Sequence, residues 1–519
     1  MRVDEDRAAE AYRRGLWVRS TLADTVRDAA RSTPERTVLV DGDIRLDCQT
    51  LHERASALAH MLLARMPPGS VVSFMLPNWH EAAIIYLAAT LAGMVVNPVL
   101  PSLRDRELQF ILSDADSRTI FIPADFGKHD YVAMLDRVTS ADMASPPEVV
   151  VLRGDARSHT PYASLFADGA ATGLPVLNPD SVRMILYTSG TTGRPKGVLH
   201  THNSIHALIS QIGEYWRVDY GDVFLVPSPI AHIGGSIYAF ECPLLLGTTA
   251  VLMERWDPDT AVQLMVTERC THMAGATPFL VGLLAAAEQA ETRLPDLKVF
   301  ICGGASVPPS LIRGAAAYFE HTAVSRVYGS TEVPVTTVGA LGDIEHAAET
   351  DGHAGMADIK LVHGEIRARG PQMLVGYLHA EDETEAFDDE GFFRTGDLGR
   401  WEDDKSLVVT GRAKDIIIRN GENISPKEIE DILVSHVGIA EIAVVGVPDE
   451  RTGERACAVI VASDQPTPDL AGLRELLMHK GVAKFKVPEQ VEIWESLPKN
   501  DAGKVLKHQI RAKLTKVDV

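Results

Sequence analysis

Residues 188 to 197 read Thr-Ser-Gly-Thr-Thr-Gly-Arg-Pro-Lys-Gly, a run built for holding phosphate. Glycines at Gly190, Gly193 and Gly197 leave room for backbone to close around a ligand. Thr188, Ser189, Thr191, Thr192 and Lys196 supply hydroxyl and ammonium donors suited to phosphate oxygens. A β-prone stretch, 182–187, precedes the run and a helix is predicted from His202, so the expected order is strand, loop, helix. The spacing differs from the Gly-Lys-Ser/Thr ending of a Walker A loop.

Four further clusters carry chemistry. Tyr328-Gly329-Ser330-Thr331-Glu332 offers an aromatic plane for a base, a hydroxyl for phosphate and a hard oxygen for a hard cation. Upstream, Gly303-Gly304-Ala305 is a run of three small residues. Asp397, in Arg394-Thr-Gly-Asp, is a carboxylate able to accept two hydrogen bonds, and Arg412 follows at a Gly-Arg turn. Pro498-Lys-Asn-Asp-Ala-Gly-Lys504 ends on a glycine-lysine pair in a tail with several other lysines. His200-Thr-His202 has the look of a metal pair, but a third ligand is missing.

In type and order, from about residue 40 to 510, these motifs resemble those of the adenylate-forming superfamily, in its acyl-CoA synthetase branch. The resemblance implies that an acid and ATP give an acyl-adenylate and pyrophosphate, and that a thiol then takes the acyl group. It implies that Lys504, Thr331 and Glu332 serve catalysis, with Glu332 also holding Mg2+. The nucleotide would lie on Thr188, Ser189, Gly190, Thr191, Thr192, Gly193, Lys196, Gly303, Gly304, Ala305, Tyr328, Gly329, Asp397 and Arg412. His232, Gly235, Ser236 and Val333 would shape the acyl pocket, with Gly235 offering space. Lys414 matches the family's hinge, and Gly421 and Glu422 would join the pantetheine tunnel after rotation.

The elements that must position these groups follow from pattern and size. At 519 residues two or more domains are expected. Strands at 71–76, 95–99 and 119–122 alternate with helices at 79–91 and 104–112, which predicts an α/β parallel sheet with crossover helices. Shorter strands and turns from Glu365 predict a β-rich subdomain. The expected fold is a large N-terminal adenylate-forming domain, 1–411, of two α/β subdomains and a β-rich one. A small mobile α+β domain, 412–519, follows. In it strands fall near 441–447 and 456–462, a helix near 469–480, and a helix start with a capping box at Ser425-Pro-Lys-Glu428.

A net charge of −21 argues against a nucleic-acid partner. Five scattered cysteines without a CxxC pair fit a reducing cytoplasm. The charged N-terminus does not read as a signal peptide, and the apolar run 233–253, interrupted by Glu241, Pro243 and Gly247, reads as a buried helix and strand rather than a membrane span. Peripheral membrane contact and a homodimer stay open. By the resemblance, adenylating enzymes for amino acids place an Asp shortly after the position of His232; 233–240 holds no acid, which disfavours an amino-acid substrate, and small and apolar residues there point to a hydrophobic carboxylic acid. With fifteen residues after Lys504, the thiol is expected from another molecule: free CoA, or in the alternative a separate acyl carrier protein. A luciferase-like adenylating monooxygenase is the third reading. An ATP-binding sensor is disfavoured, since Lys504, Glu332 and Lys196 are all retained.

Overall fold

The computed structural model describes residues 5–140, 143–166, 173–189, 194–304, 307–319, 321–403, 405–500 and 503–515. Gly190, Thr191, Thr192, Gly193 and Ala305 lie outside the described residues. The architecture is mixed α/β, in sheets of seven, eight, six and five strands. In the eight-stranded sheet Val182–Ser189, Val95–Pro98, Val71–Phe74, Ser117–Pro123 and Glu148–Leu152 run side by side and parallel. Helices His80–Leu91 and Asp105–Asp114 make the crossovers that the alternation predicts. Helix His80–Leu91 is buried on all faces from Ala82 onward, as a run apolar but for Tyr86 and Thr90 requires.

The seven-stranded sheet places Ala323–Val327, Val299–Gly303, His272–Gly275, Val223–Val226, Thr249–Leu252 and Thr37–Asp41 in parallel, with Ile44–Asp47 antiparallel at its edge. Parallel strands buried on both faces read as continuous apolar runs, as Val299-Phe-Ile-Cys does. The antiparallel six-stranded sheet begins at Thr337–Val338, earlier than the texture change at Glu365 suggests. The C-terminal sheet has Ile439–Asp449 and Gly453–Ala462 as its central hairpin, with helices Pro426–Leu433 and Leu470–His479. Among the described residues no helix is long and apolar enough to cross a membrane.

Two local expectations fail, each for a physical reason. The strand before the glycine-rich run does not lead to the helix directly: Pro195–Thr201 returns antiparallel to Val182–Ser189, pairing Lys196 with Thr188, so a second strand stands between the first and helix His202–Tyr215. The capping box at Ser425 does not form. The Ser425 hydroxyl donates to the Thr410 carbonyl at 2.6 Å, and Glu428 accepts from Lys486 at 2.7 Å, so tertiary partners win over the local cap. The run 233–253 is a buried helix and a strand, as expected, and the helix contains a π-turn, Ile237–Glu241.

Candidate active site

Several of the residues expected to hold a nucleotide, Thr188, Gly303 and Tyr328 among them, stand at or just past the carboxyl ends of sheet strands, where open α/β sheets hold ligands. Gly303 closes its strand in register with Val327, one residue before Tyr328. A Cβ at Gly303 would come within 2.6 Å of the Val327 side chain, so only glycine lets these strand ends lie flat. Gly304, at φ +80°, turns the chain away in the left-handed region. Gly329 is held as tightly, since a Cβ there would meet the Val335 amide nitrogen at 2.6 Å.

Asp397 and Arg412 are cross-strand partners in the antiparallel pair Phe393–Glu402 and Ser406–Arg412. Directly opposed residues bring side chains together, and Arg412 Nε forms an ion pair with Asp397 Oδ1 at 2.8 Å. The Tyr328 hydroxyl donates to Asp397 Oδ2 at 2.8 Å. Burial, then the Asp397 carboxylate, pushes the Tyr328 phenol well above 10, so it remains a donor. Sheet register thus assembles Tyr328, Asp397 and Arg412 from two sheets into one cluster.

Lys504 enters the same field from the far end of the chain. Its amide donates to Asn500 Oδ1 at 2.8 Å, closing a tight turn in which Gly503 takes φ +77°. A Cβ at Gly503 would lie 3.0 Å from the Pro278 ring, so the turn rests against helix Thr277–Gln289. Burial, followed by the Arg412 charge, lowers the Lys504 ammonium to about 8, with Asp397 opposing the fall.

A second cluster surrounds Glu332. Thr188 Oγ1 donates to Glu332 Oε1 at 3.4 Å, and the Tyr377 hydroxyl donates to the same oxygen at 3.2 Å. Lys196 Nζ stands 5.3 Å over the Tyr377 ring and 3.5 Å from Asp382 Oδ1, while Arg194 holds Asp382 through both carboxylate oxygens at 2.8 and 2.9 Å. His200 Nε2 donates to the Thr331 carbonyl at 2.8 Å, and burial lowers its imidazole to about 4, so it stays neutral. His202 Nδ1 accepts from the Leu22 amide at 3.4 Å. His200 and His202 are therefore engaged separately in positioning backbone. Tyr377, Asp382 and His200 have roles here that sequence reasoning missed; they lie outside the glycine-rich runs that announce the rest.

The carboxylate of Glu332 and the hydroxyls beside it are hard oxygen donors, a set that fits magnesium. Asp41, His80 and Glu81 also converge as a group that could hold a metal. Arg153 fills that space, with Nη2 2.6 Å from Glu81 and 3.2 Å from Asp41.

The segment expected to shape an acyl pocket is arranged differently from the expectation for Gly235. His232 begins the helical segment Ile233–Leu245, and its carbonyl accepts from the Gly235 and Ser236 amides. Gly235 faces inward: a Cβ there would overlap the Ser228 and Pro229 carbonyls, so it offers no space to a ligand. Gly234 is the glycine with open space beside it. Ser236 is buried, its hydroxyl on the Ile233 carbonyl at 3.3 Å, and Val333 is buried among Val198, Met373 and Leu374. Helical phase decides these directions, and phase is not visible in residue types. Glu241 is paired with buried Arg183. Lys414 lies in the single turn Ala413–Asp415 that joins strand Ser406–Arg412 to Ile417–Arg419. Gly421, at φ +83°, and Glu422 are exposed at the tip of the next hairpin.

A fold with strand ends, hairpin loop and C-terminal lysine arranged in this way defines an AMP-binding enzyme. The sequence model of the AMP-binding enzyme family matches residues 26–378, and that of the AMP-binding enzyme C-terminal domain matches 428–504. The chain belongs to this family. It is similar to the medium-chain fatty-acid–CoA ligase of Escherichia coli, at 34% identity over 98% of this chain and 93% of that protein. It is also similar to the 2,3-dihydroxybenzoate-AMP ligase of Bacillus subtilis, at 30% identity over 98% and 96%. Among solved structures, ATP-bound MatB from Rhodopseudomonas palustris superposes with a TM-score of 0.84 at 27% identity, covering 96% of this chain and 100% of that one.

Proposed function

We propose that the protein is an acid–thiol ligase that converts a hydrophobic carboxylic acid to acyl-AMP and then to acyl-CoA. The observation that carries this reading is the cluster of Tyr328, Asp397 and Arg412 at the strand ends, whose charges the buried Lys504 ammonium feels. In the first half-reaction a carboxylate oxygen attacks the α-phosphorus of ATP and pyrophosphate leaves. Lys504 neutralises the two anions as they meet, Asp397 and Arg412 hold the ribose, and Tyr328 lies along the base. Thr188 and Lys196 hold the departing phosphates, and by the family resemblance Ser189, Gly190, Thr191, Thr192 and Gly193 would complete the phosphate-binding set. Glu332 would hold Mg2+, which supplies charge neutralisation when bound. In the second half-reaction the CoA thiol attacks the acyl carbonyl and AMP leaves. The domain border at 411–412 is the place for a rotation about Lys414 that exchanges Lys504 for the Gly421–Glu422 hairpin.

A hydrophobic acid is favoured because Glu241, the acidic residue nearest the acyl wall in sequence, is committed to Arg183 and Tyr86. No carboxylate of that segment is left for an ammonium group. Pyrophosphate release measured over short-, medium- and long-chain, aryl and alicyclic acids, with and without CoA, tests the proposal. Acid-dependent pyrophosphate release and CoA-dependent acyl-CoA by mass spectrometry are expected. Acyl-AMP that accumulates unchanged with CoA, and is consumed by a carrier protein, would replace CoA as the acceptor.

A further inference from the structure

Tyr86, Arg183 and Glu241 form a polar triad with relative exposures of 0%, 2% and 1%. They come from helix His80–Leu91, strand Val182–Ser189 and the π-turn Ile237–Glu241. Arg183 Nη1 donates to the Tyr86 hydroxyl oxygen at 2.8 Å. Arg183 Nη2 and the Tyr86 hydroxyl both donate to Glu241 Oε1. Burying two ions costs several kcal/mol each before their attraction is counted, and apolar side chains of the same volume often serve stability as well. Stability is thus a poor reason for this triad.

What the triad grips is a change of helical phase. The Cys242 amide reaches back five residues to the Ile237 carbonyl, between α-helical turns Ile233–Ser236 and Cys242–Leu245. A π-turn holds one residue more than an α-turn, and such turns concentrate at functional sites. Were it to tighten, every residue before it would rotate by about 100° relative to those after it. Gly234, with its open space, and partly exposed His232 and Ile233 lie on that preceding side. Aromatic contacts brace the same turn: Phe240 lies 4.6 Å from the Tyr86 ring and Tyr238 stacks on Phe224 at 5.4 Å. The strand that carries Arg183 runs on to Thr188, about 17 Å away at strand rise. One ion pair therefore fixes the wall's phase and ties the wall to the strand of the phosphate loop.

We propose that Arg183, Glu241 and Tyr86 are positioning residues that pin the π-turn and so determine which groups of 232–238 face the acid, making the triad a determinant of acid specificity. This rests on the acyl-site reading above. The test measures kcat/KM over an acid series for Glu241→Gln, Arg183→Lys and the double variant Arg183→Met/Glu241→Met, with Gly234→Leu as a probe of the wall itself. Glu241→Gln is expected to lower kcat/KM for the preferred acid by about ten-fold, mostly through KM. Arg183→Lys keeps the charge without the fork and should fall in between, and the double variant should reorder the acids. KM for ATP should stay within about two-fold in all of them.

A lower melting temperature with every acid reduced by the same factor would show a merely structural role and overturn the proposal. If the double variant does not fold, Glu241→Gln, which keeps the side-chain shape, decides the matter alone. A shifted acid profile in Gly234→Leu beside an unshifted one in the triad variants refutes the positioning role only. No shift in any of them refutes the acyl wall, and the proposal with it.

Discussion

Replacing Lys504 by methionine separates what this residue does from what it costs. Burial first, then Arg412 and Lys414, lower its ammonium from 10.5 to about 8 against the pull of Asp397 and Asp415. At about 1.4 kcal/mol per pH unit, the charged form is up to about 3 kcal/mol less favourable in the folded protein than in water. Below about pH 8 both folded and unfolded chains hold the proton and that cost is constant. Between about 8 and 10.5 only the unfolded chain holds it, so the contribution to stability rises with pH across that window. Lys504→Met keeps the apolar stem and removes the charge, so at neutral pH it should melt no lower than the parent, and up to about 3 kcal/mol more stably. This advantage should shrink as pH rises past about 8.

Its adenylation rate, followed by pyrophosphate release, should fall by about 10²-fold or more, the scale of losing one preorganised electrostatic group. Given ready-made acyl-adenylate, the variant should still form thioester at close to the parent rate. In the parent enzyme kcat/KM for adenylation should decline as pH rises through about 8, and Lys504→Arg should move that limb upward because guanidinium stays charged. Equal losses in the two half-reactions, or a lowered melting temperature at neutral pH, would refute the reasoning.

Lys414→Pro fixes φ in the turn Ala413–Asp415 and should spare pyrophosphate release while cutting thioester formation about ten-fold or more; equal losses in a folded variant would place the hinge elsewhere. Gly235→Ala forces a Cβ against the Ser228 and Pro229 carbonyls and should destabilise by about 1–3 kcal/mol in denaturant melts. Gly234→Ala should be close to neutral, and the opposite ranking would contradict the inward orientation of Gly235. Tyr377→Phe removes the hydroxyl that donates to Glu332 and should raise the magnesium requirement of adenylation by about ten-fold; an unchanged magnesium titration would deny Glu332 that role.

The residue types and order were enough to read the α/β class, the crossovers through 71–123 and the C-terminal hairpin, because each rests on a local period of apolar side chains. Tyr328, Asp397, Arg412 and Lys504 stand out in the sequence only through the order of short motifs that resemble a family's, and the structure brings Tyr328, Asp397 and Arg412 together. Local rules failed where a distant partner competed. Ser425 has the neighbours for a capping box, yet its hydroxyl goes to Thr410. The direction of Gly235 and Gly234 depends on helical phase, which the π-turn at Ile237–Glu241 resets. Tyr377 meets Glu332 only because strand Gly376–Tyr377 pairs with the hairpin that carries the phosphate loop. Glu241 reads as an interruption in an apolar run until Arg183 and Tyr86 are seen to close on it. Sequence determines which groups are available; contacts between residues far apart in the chain decide which of them face one another, since a buried charge or hydroxyl settles wherever its hydrogen bonds are met.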